Sequence, residues 1–570
     1  MNAERLLHHY ETIADAPDAI ARLRRFILDL AVRGKLAPQD PNDEPASELL
    51  RRIAKEKARL VKAGEISKFA ESKPAMPSDL TFEIPAQWQP AKIENVLDEL
   101  QTGPFGSSLH QSDYRTGGTP VVNPASIQGE QIKPIEKMAV DAATLERLAS
   151  FKLRRGDVVM ARRGEMGRCA IVTEREAGWL CGTGSLILRP SKLIYPNFLV
   201  LLIGSPFSRQ YLGGTAVGTT MQNLNQSILL KLPFGLPPLD EQHRIVAKVD
   251  ELMALCDQLE AARTARETTR DQLAAASLAR LNSPDPETFC EDARFALEAL
   301  PALTARPDQI KQLRQTILNL AVRGKLVPQD PADEPAAELL KRIEREKALT
   351  KSRNSDKTNK LPTTPEDLPF DLPRGWVRIR LGQIIILLSG QHLQPPEYSE
   401  VPGAGVPYIT GPSDFGATGL TISRYALVRK AVAKQGQLLL TVKGSGVGKT
   451  AICNLREVAI SRQLMSLTPI SWNLEFLEII THRLAEALQE QARSLIPGIA
   501  REDVENFTIG LPPLTEQHRI VAKVEELMAL CDQLEASLRS ADDTSRKLLD
   551  ALLAEALAPV DEQTLQEAAA

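Results

Sequence analysis

Apolar residues recur in alternating steps of four and three along two long stretches of this chain. From Ile520 the series runs through Val524, Leu527, Cys531, Leu534 and Leu538, and Leu548 and Leu552 fall on the same frame. The other stretch opens identically at Ile245, Val249, Leu252, Cys256 and Leu259, but Arg263 and Arg266 then occupy the frame. Such a pattern is a coiled-coil seam, weaker in the middle of the earlier stretch. About 40 helical residues rising ~1.5 Å each span about 60 Å. Each helix is predicted to start after a Pro-Pro pair, with Asp240 or Thr515 as N-cap and Glu241 or Glu516 in the first turn. A half-apolar helix of that length needs something to pack on, and its twin is the predicted partner.

Elsewhere the apolar runs are short and bounded by turn residues, which predicts strands. They lie at 119–122, 157–161, 170–172 and 185–188, and again at 405–409, 437–442 and 463–467. Helical stretches are predicted at 194–202 and 474–493. Strands and helices do not alternate regularly, so the fold class is α+β rather than a Rossmann or TIM architecture. The expected architecture is two globular mixed α/β domains separated by a long antiparallel two-helix coiled coil.

Two internal repeats organise the chain. Residues 236–261 and 511–536 differ at only two of their positions, Asp240 against Thr515 and Asp250 against Glu525. Residues 27–36 (ILDLAVRGKL) return as 317–326 (ILNLAVRGKL), and both copies continue into a PQDP-x-DEPA segment and a charged helix. Gly34 and Gly324 end the AVRGKL helices as C-terminal stops. The repeat offset is 290 residues for one pair and 275 for the other, so the intervening regions differ in length. The expected division is a helical region at 1–72, a globular domain at 73–236, and a central region at 237–360. That central region holds a long helix at 239–282 and the helices repeating the N-terminal ones. A second globular domain at 361–511 and a final long helix at 512–570 complete it. Trp88 and Trp376, near the start of each globular domain, are expected core anchors.

A chain of 570 residues exceeds a single core and suggests three or four packed units. No apolar run approaches the ~18–20 residues of a membrane span, and the N-terminal residues carry no signal-peptide apolar stretch. Six cysteines are scattered with no CxxC pair, which argues against zinc ribbons and disulfide frameworks. A reduced, cytoplasmic protein is expected. The net charge of -4 at first argues against a nucleic-acid partner. Its distribution weighs slightly the other way: residues 90–235 carry +4 and residues 374–510 carry +3, leaving -11 on the mostly helical remainder.

One segment has the look of a catalytic motif. Residues 444–450 read GSGVGKT, but a phosphate-binding loop of the GxxxxGK[ST] type needs glycine where Lys443 stands. The matching segment of the first domain, 162–168 (RRGEMGR), lacks the GK[ST] element altogether. Both read as a glycine-rich turn after a strand, flanked by cations. Such a turn lets backbone amides and Arg or Lys approach phosphates or base edges, and a surface hairpin with solvated charges accounts for the same residues. The polar segments 218–223 and 497–501 either reach DNA or are ordinary surface turns. The seven histidines show no metal-ligand spacing, and GxSxG, HExxH and adenine-methyltransferase motifs do not occur. The chain therefore reads as non-catalytic.

The duplicated LPPL-x-EQHRIVAKV helix, the AVRGKL segments and two dissimilar strand-rich regions beginning near a tryptophan resemble the specificity subunit of type I restriction–modification systems, the HsdS family. The resemblance covers nearly the whole chain. One departure is placement, with the AVRGKL segment at the N-terminus and centre rather than at the centre and C-terminus. The resemblance implies two target recognition domains, each reading one half of a bipartite double-stranded DNA target. The repeated helices would set the spacing and dock two methyltransferase subunits, with restriction/translocase subunits joining and no membrane involved. No cofactor is expected on this chain. S-adenosylmethionine, ATP and Mg2+ belong to the partner subunits. Candidate DNA-contacting residues are Arg162, Arg163, Arg168, Gln222 and Asn223 in the first domain and Lys443, Lys449 and Arg501 in the second. Ile245, Val249, Leu252, Leu259, Ile520, Val524, Leu527 and Leu534 are the expected seam. Glu241, His243, Arg244, Glu516, His518 and Arg519 are expected either to contact a partner or to brace the adjacent domain. Two alternatives stand beside this reading: a coiled-coil scaffold that does not bind DNA, and a nucleotide-binding enzyme using the 443–450 loop.

Overall fold

The AVRGKL helices stop where their glycines predict. Ala19–Val32 and Pro307–Val322 end two residues before Gly34 and Gly324, which hold φ of 69° and 67°. Those left-handed values favour glycine, which has no Cβ to oppose them. The computed structural model describes residues 16, 18–67, 69, 73–214, 224–282, 287–351, 368, 370–416, 419–444, 446–491 and 498–557. They form two compact units, one of residues 1–265 with 542–570 and one of residues 266–541.

In the first unit, Gln89–Lys92 pairs antiparallel with Pro233–Leu236, so the mixed α/β region closes where it begins. Its main sheet has four antiparallel strands in the order Leu97–Thr102, Ser185–Pro190, Val158–Ala161 and Cys169–Ile171. Side chains of a strand alternate between faces, and here both faces are covered. Val158, Met160, Leu186 and Leu188 join the larger core with Trp88, Phe198, Ile245 and Val249. Val159, Ala161 and Ile187 point the other way, into a smaller core with Val122 and Ile127. The larger core also takes Ile27 and Ala31 of Ala19–Val32, and Leu49 and Ile53 of the helix Ala46–Lys62.

The second unit repeats this plan. Val377–Arg380 pairs with Thr508–Leu511, and the four-stranded order is Ile385–Ser389, Leu464–Pro469, Leu438–Thr441 and Thr450–Ile452. Leu438 and Leu440 face the larger core with Trp376, Phe476, Ile520 and Val524, while Leu439 faces the smaller one. The helices Pro307–Val322 and Ala336–Lys351 supply Ile317, Ala321, Leu339 and Ile343.

Both long helices form, Leu239–Asn282 and Leu514–Leu557, each of 44 residues. They start at Leu239 and Leu514, so Asp240 and Thr515 are second residues and not the predicted N-caps; the Pro-Pro pair ends directly at the first turn. Their apolar frame is real, but its first half is occupied differently from expectation. Ile245, Val249 and Cys256 belong to the larger core of the first unit, with Leu252 packed beside them. Ile520, Val524 and Cys531 belong to that of the second, with Leu527 and Leu534 packed beside them. Leu259 is 38 % exposed and joins neither core, which agrees with the loss of the frame at Arg263 and Arg266. Within the first unit, the far end of the second long helix returns: Leu549 and Leu552 pack on Ala16 and Ala19. Within the second, Ala274, Leu278 and Leu281 pack with Ala296 and Leu303. In each unit the start of one long helix thus lies with the end of the other, the order of an antiparallel pair. No helix among the described residues is long and apolar enough to cross a membrane.

Candidate nucleic-acid interface

The first turn of each long helix is tied into its own unit through buried polar contacts. Glu241 has no exposed surface. Its carboxylate accepts the indole N–H of Trp88 at 3.0 Å and the Gln39 amide at 2.5 Å. Gln242, equally buried, accepts the backbone N–H of Tyr195 and donates to the Pro237 carbonyl, both at 3.0 Å. Arg244 grips Asp43 through two bonds of 2.6 and 3.2 Å. The second unit builds the same brace. Glu516 accepts the Trp376 indole N–H at 3.0 Å and the Gln329 amide at 3.1 Å. Gln517 takes the Asn473 N–H at 3.0 Å, and Arg519 grips Asp333 at 2.6 and 3.2 Å. The PQDP-x-DEPA repeat therefore exists to meet the EQHR repeat: it supplies Gln39 with Asp43, and Gln329 with Asp333.

Burial pushes the Glu241 and Glu516 carboxyls above the usual range, and their tryptophan and glutamine donors pull them partly back. The Arg519 guanidinium holds Asp333 below it. Of the two roles open to Glu241, Arg244, Glu516 and Arg519, these contacts are those of a brace, because the bonds they make lie inside the unit. His243 and His518 remain exposed. His243 lies on the Tyr195 ring at 3.9 Å, and His518 donates from Nδ1 to the Leu514 carbonyl at 2.8 Å.

A second pair of clamps holds the amphipathic helices. Arg24 bonds Asp257 and Glu260, both at 2.6 Å, and Arg314 bonds Asp532 at 2.6 Å and Glu535 at 3.4 Å. These positions correspond in the two repeats.

The cationic turns are β-hairpin loops. Residues 162–168 join Val158–Ala161 to Cys169–Ile171, and residues 442–449 join Leu438–Thr441 to Thr450–Ile452. The glycine-rich loop at 443–450 thus runs into a strand, not a helix. It lacks the helix N-terminus whose amides and dipole hold phosphates in a nucleotide site, which removes the nucleotide-binding alternative. Matching backbone bonds align the two loops: Ala161 N–H to Arg168 O, and Thr441 N–H to Lys449 O, both at 2.9 Å. Arg163, Lys443 and Lys449 are exposed, and Arg162 and Arg168 are half-buried. Arg501 is exposed at the start of the short helix Arg501–Asn506 and pairs with Glu505 at 2.8 Å. Gln222 and Asn223 lie outside the described residues.

Beside the first hairpin an open groove is lined by Gln101, Thr102, Phe105, Arg162, Asn225 and Gln226. Of these only Arg162 stood out in the sequence. The signal for Phe105 was there, since an apolar residue between Gly103-Pro104 and Gly106 belongs to no strand or helix frame. Among the described residues no cluster of His, Cys, Asp or Glu is placed to hold a metal ion.

Residues 85–266 and 373–541 match the model of the type I restriction modification DNA specificity domain. The chain belongs to this family. It is 30 % identical over 557 residues to the specificity subunit of the type I restriction enzyme EcoAI of Escherichia coli, covering 94 % of this chain and 93 % of that one. It is 31 % identical over 570 residues to the EcoEI specificity subunit of the same species, covering 94 % of each. The crystal structure of the HsdS subunit from Thermoanaerobacter tengcongensis is 24 % identical, with 85 % of this chain and 99 % of that chain covered and a TM-score of 0.43. The protein is a DNA specificity subunit of a type I restriction–modification system, a non-catalytic member of the complex with two target recognition domains.

Proposed function

We propose that each recognition domain of this specificity subunit reads one half of a bipartite double-stranded DNA target. The braced long helices set the distance between the half-sites and dock two methyltransferase subunits. Restriction/translocase subunits complete the nuclease, and S-adenosylmethionine, ATP and Mg2+ act on those partners. The carrying observation is the duplication itself. One hydrogen-bonded frame, Trp–Glu–Gln with Arg–Asp, is built twice around two recognition domains whose hairpins carry different residues. A repeated frame suits two identical partners on quasi-equivalent surfaces, while dissimilar hairpins suit two different half-sites. Leu255 and Leu530, repeat-equivalent and 46 % and 47 % exposed, are the apolar residues each copy offers outward for docking. Lys443, Lys449, Arg163 and Arg168 serve phosphates or base edges from the hairpins.

Exchanging residues 90–235 for the matching region of another specificity subunit tests this. Adenine methylation mapped across a plasmid library should change in one half-site only. Inserting one heptad at equivalent positions of both long helices should widen the gap and leave both half-sites intact. A changed half-site with an unchanged gap after the insertion overturns the assignment of roles. Loss of all salt-dependent, sequence-specific DNA binding from the intact complex would favour a pure scaffold.

A further inference from the structure

The first recognition domain holds a phenylalanine outside its core on a fixed backbone. Phe105 is 68 % exposed, in the loop that follows the strand Leu97–Thr102. Its carbonyl accepts the amides of Ser108 at 2.8 Å and Leu109 at 3.1 Å. The preceding Pro104 carbonyl accepts the Thr183 hydroxyl at 2.9 Å, and the Gly103 amide donates to Ser185 at 2.9 Å. A Cβ on Gly103 would overlap the Gly182 carbonyl oxygen. One exposed apolar side chain is ordinary on a protein surface. This one stands at an open groove of about 730 Å³ whose other walls combine the apolar Leu100, Phe151 and Leu224 with the polar Gln101, Arg162, Asn225 and Gln226. Gln101 Oε1 is buried there with no hydrogen-bond partner among the described residues, which is uncommon for a buried acceptor. Gln226 opens the short helix Gln226–Leu230, and Arg162 Nε donates to the Leu224 carbonyl at 3.3 Å.

The second unit shows which of these features belong to the scaffold. Gly390 donates to Leu464 at 3.0 Å as Gly103 does to Ser185, and its Cβ would overlap the Ser461 carbonyl oxygen. Two residues further on stands His392, exposed, in place of Phe105. Arg162 donates to Gly184 and accepts from Leu224; Val442 donates to Gln463 and accepts from Ile499. The short helices that follow open with Gln226 in one unit and Arg501 in the other. The same backbone positions thus carry Phe105, Arg162 and Gln226 in one domain and His392, Val442 and Arg501 in the other. The braces, by contrast, are residue-for-residue identical.

We propose that Phe105 is a specificity-determining residue of the first recognition domain, making apolar contact with a base of its half-site while Gln101, Arg162 and Gln226 meet neighbouring base edges. This rests on the reading that the domain reads a half-site. Glutamine and arginine are the side chains whose paired donors and acceptors match adenine and guanine edges. Phenylalanine offers an apolar face to a thymine methyl or an unstacked base. A rigid loop makes that contact without an ordering cost in side-chain-bearing backbone.

The test uses the full chain assembled with its methyltransferase subunits, and the bipartite duplex identified from mapped methylation. Binding is measured to the intact target and to every single-base substitution in both half-sites. Phe105→Ala should weaken binding of the intact target roughly five- to a hundredfold. The lost discrimination should fall at one or two adjacent positions of the first half-site, with the second half-site unchanged. The slope of log affinity against log salt should stay the same, because no phosphate contact is removed. Phe105→Leu, which keeps an apolar face, should retain most of the discrimination. Unchanged affinity of the alanine variant, or equal weakening on every sequence, overturns the proposal. Wild-type binding to a duplex with the first half-site scrambled separates the two levels. If it equals binding to the intact target, the domain reads no half-site there. If it is lost while Phe105→Ala behaves as wild type, only the role of Phe105 falls. Matching thermal unfolding of variant and wild type excludes misfolding.

Discussion

Replacing Trp88 with phenylalanine should loosen the first unit by more than the lost indole surface. The indole N–H donates at 3.0 Å to a carboxylate oxygen of Glu241 that has no access to water. A hydrogen bond to a charged group is worth roughly 1.5–3 kcal/mol net, and a buried acceptor left without a donor costs about 1–3 kcal/mol. Trp88→Phe should therefore cost about 3 kcal/mol. Glu241→Ala leaves both Trp88 and Gln39 donors unpaired and should cost about as much or more. The double variant should cost clearly less than the sum, with a coupling of about 2 kcal/mol. For a unit of this size 1 kcal/mol moves the melting temperature by roughly 2–4 °C, so each single variant should lower the first unit's transition by about 6–12 °C. A chain of two units departs from two-state unfolding, so the cycle is best read by hydrogen exchange of peptides from the first turns of Leu239–Asn282 and from Gln89–Lys92. The cycle of Trp376→Phe with Glu516→Ala should give the same coupling within about 1 kcal/mol, because the geometry is the same. A coupling under about 0.5 kcal/mol in either unit would refute the brace.

Gly34→Ala and Gly324→Ala should each destabilise their unit by at least ~2 kcal/mol, read as a fall in the corresponding melting transition. Both positions hold positive φ, and the new methyl would overlap Pro85 or Pro373 and press on Trp88 or Trp376. Glu241 and Glu516 hold their protons more tightly folded than unfolded, so their contribution is fully present below pH 4.5 and is lost as pH rises through the raised folded values. The stability difference between wild type and a Glu241→Gln, Glu516→Gln variant should accordingly shrink in favour of the variant from pH 4.5 towards neutrality, measured by denaturant unfolding. Lys449→Ala should weaken DNA binding by the intact complex on all sequences alike and reduce the salt slope by about one. Leu255→Asp or Leu530→Asp alone should reduce the methyltransferase subunits bound from two to one, and both together should abolish binding, as judged by mass measurement of the complex.

The elements read most directly from sequence were those with long or repeated signals. A repeated seam, run from Ile245 to Leu259 and from Ile520 to Leu538, gives both long helices, and apolar runs such as residues 185–188 and 437–442 give the central strands. Two-residue strands such as Ile127–Gln128 and Ala139–Val140 carry no such signal and exist through their tertiary neighbours. A helical frame also records that Ile245 and Val249 are buried without recording against what. Their neighbours Trp88 and Phe198 lie far off in sequence, so the frame alone points to the twin helix. The first-turn polar residues pose the same difficulty in sharper form. Glu241 and Arg244 look solvent-facing until Gln39 and Asp43, about two hundred residues earlier, arrive beside them. In the candidate site, cations after a strand were legible because charge next to glycine is a local pattern. Gln101 and Gln226 were not, because one is an ordinary strand residue and the other an ordinary helix start.

The near-identity of residues 236–261 and 511–536 can now be divided into a part that packing explains and a part that it does not. Buried members have no freedom. Changing Glu241, Gln242 or Ile245 leaves a donor unpaired or a core unfilled, and the same holds for Glu516, Gln517 and Ile520. Asp257 and Asp532 are exposed but answer to Arg24 and Arg314. The two differing positions, Asp240 against Thr515 and Asp250 against Glu525, are exposed in both copies, where a surface substitution costs little. Leu255 and Leu530 break this rule. They are exposed, apolar and identical, with no core to fill and no clamp to satisfy. Stability within either unit does not require leucine there, and solubility disfavours it. A surface presented twice to the same protein does require the same residue twice. Among the described residues of these repeats, Leu255 and Leu530 are the large apolar pair exposed in both copies, which makes them the strongest pointer on the long helices to an external partner, and the stoichiometry experiment addresses them.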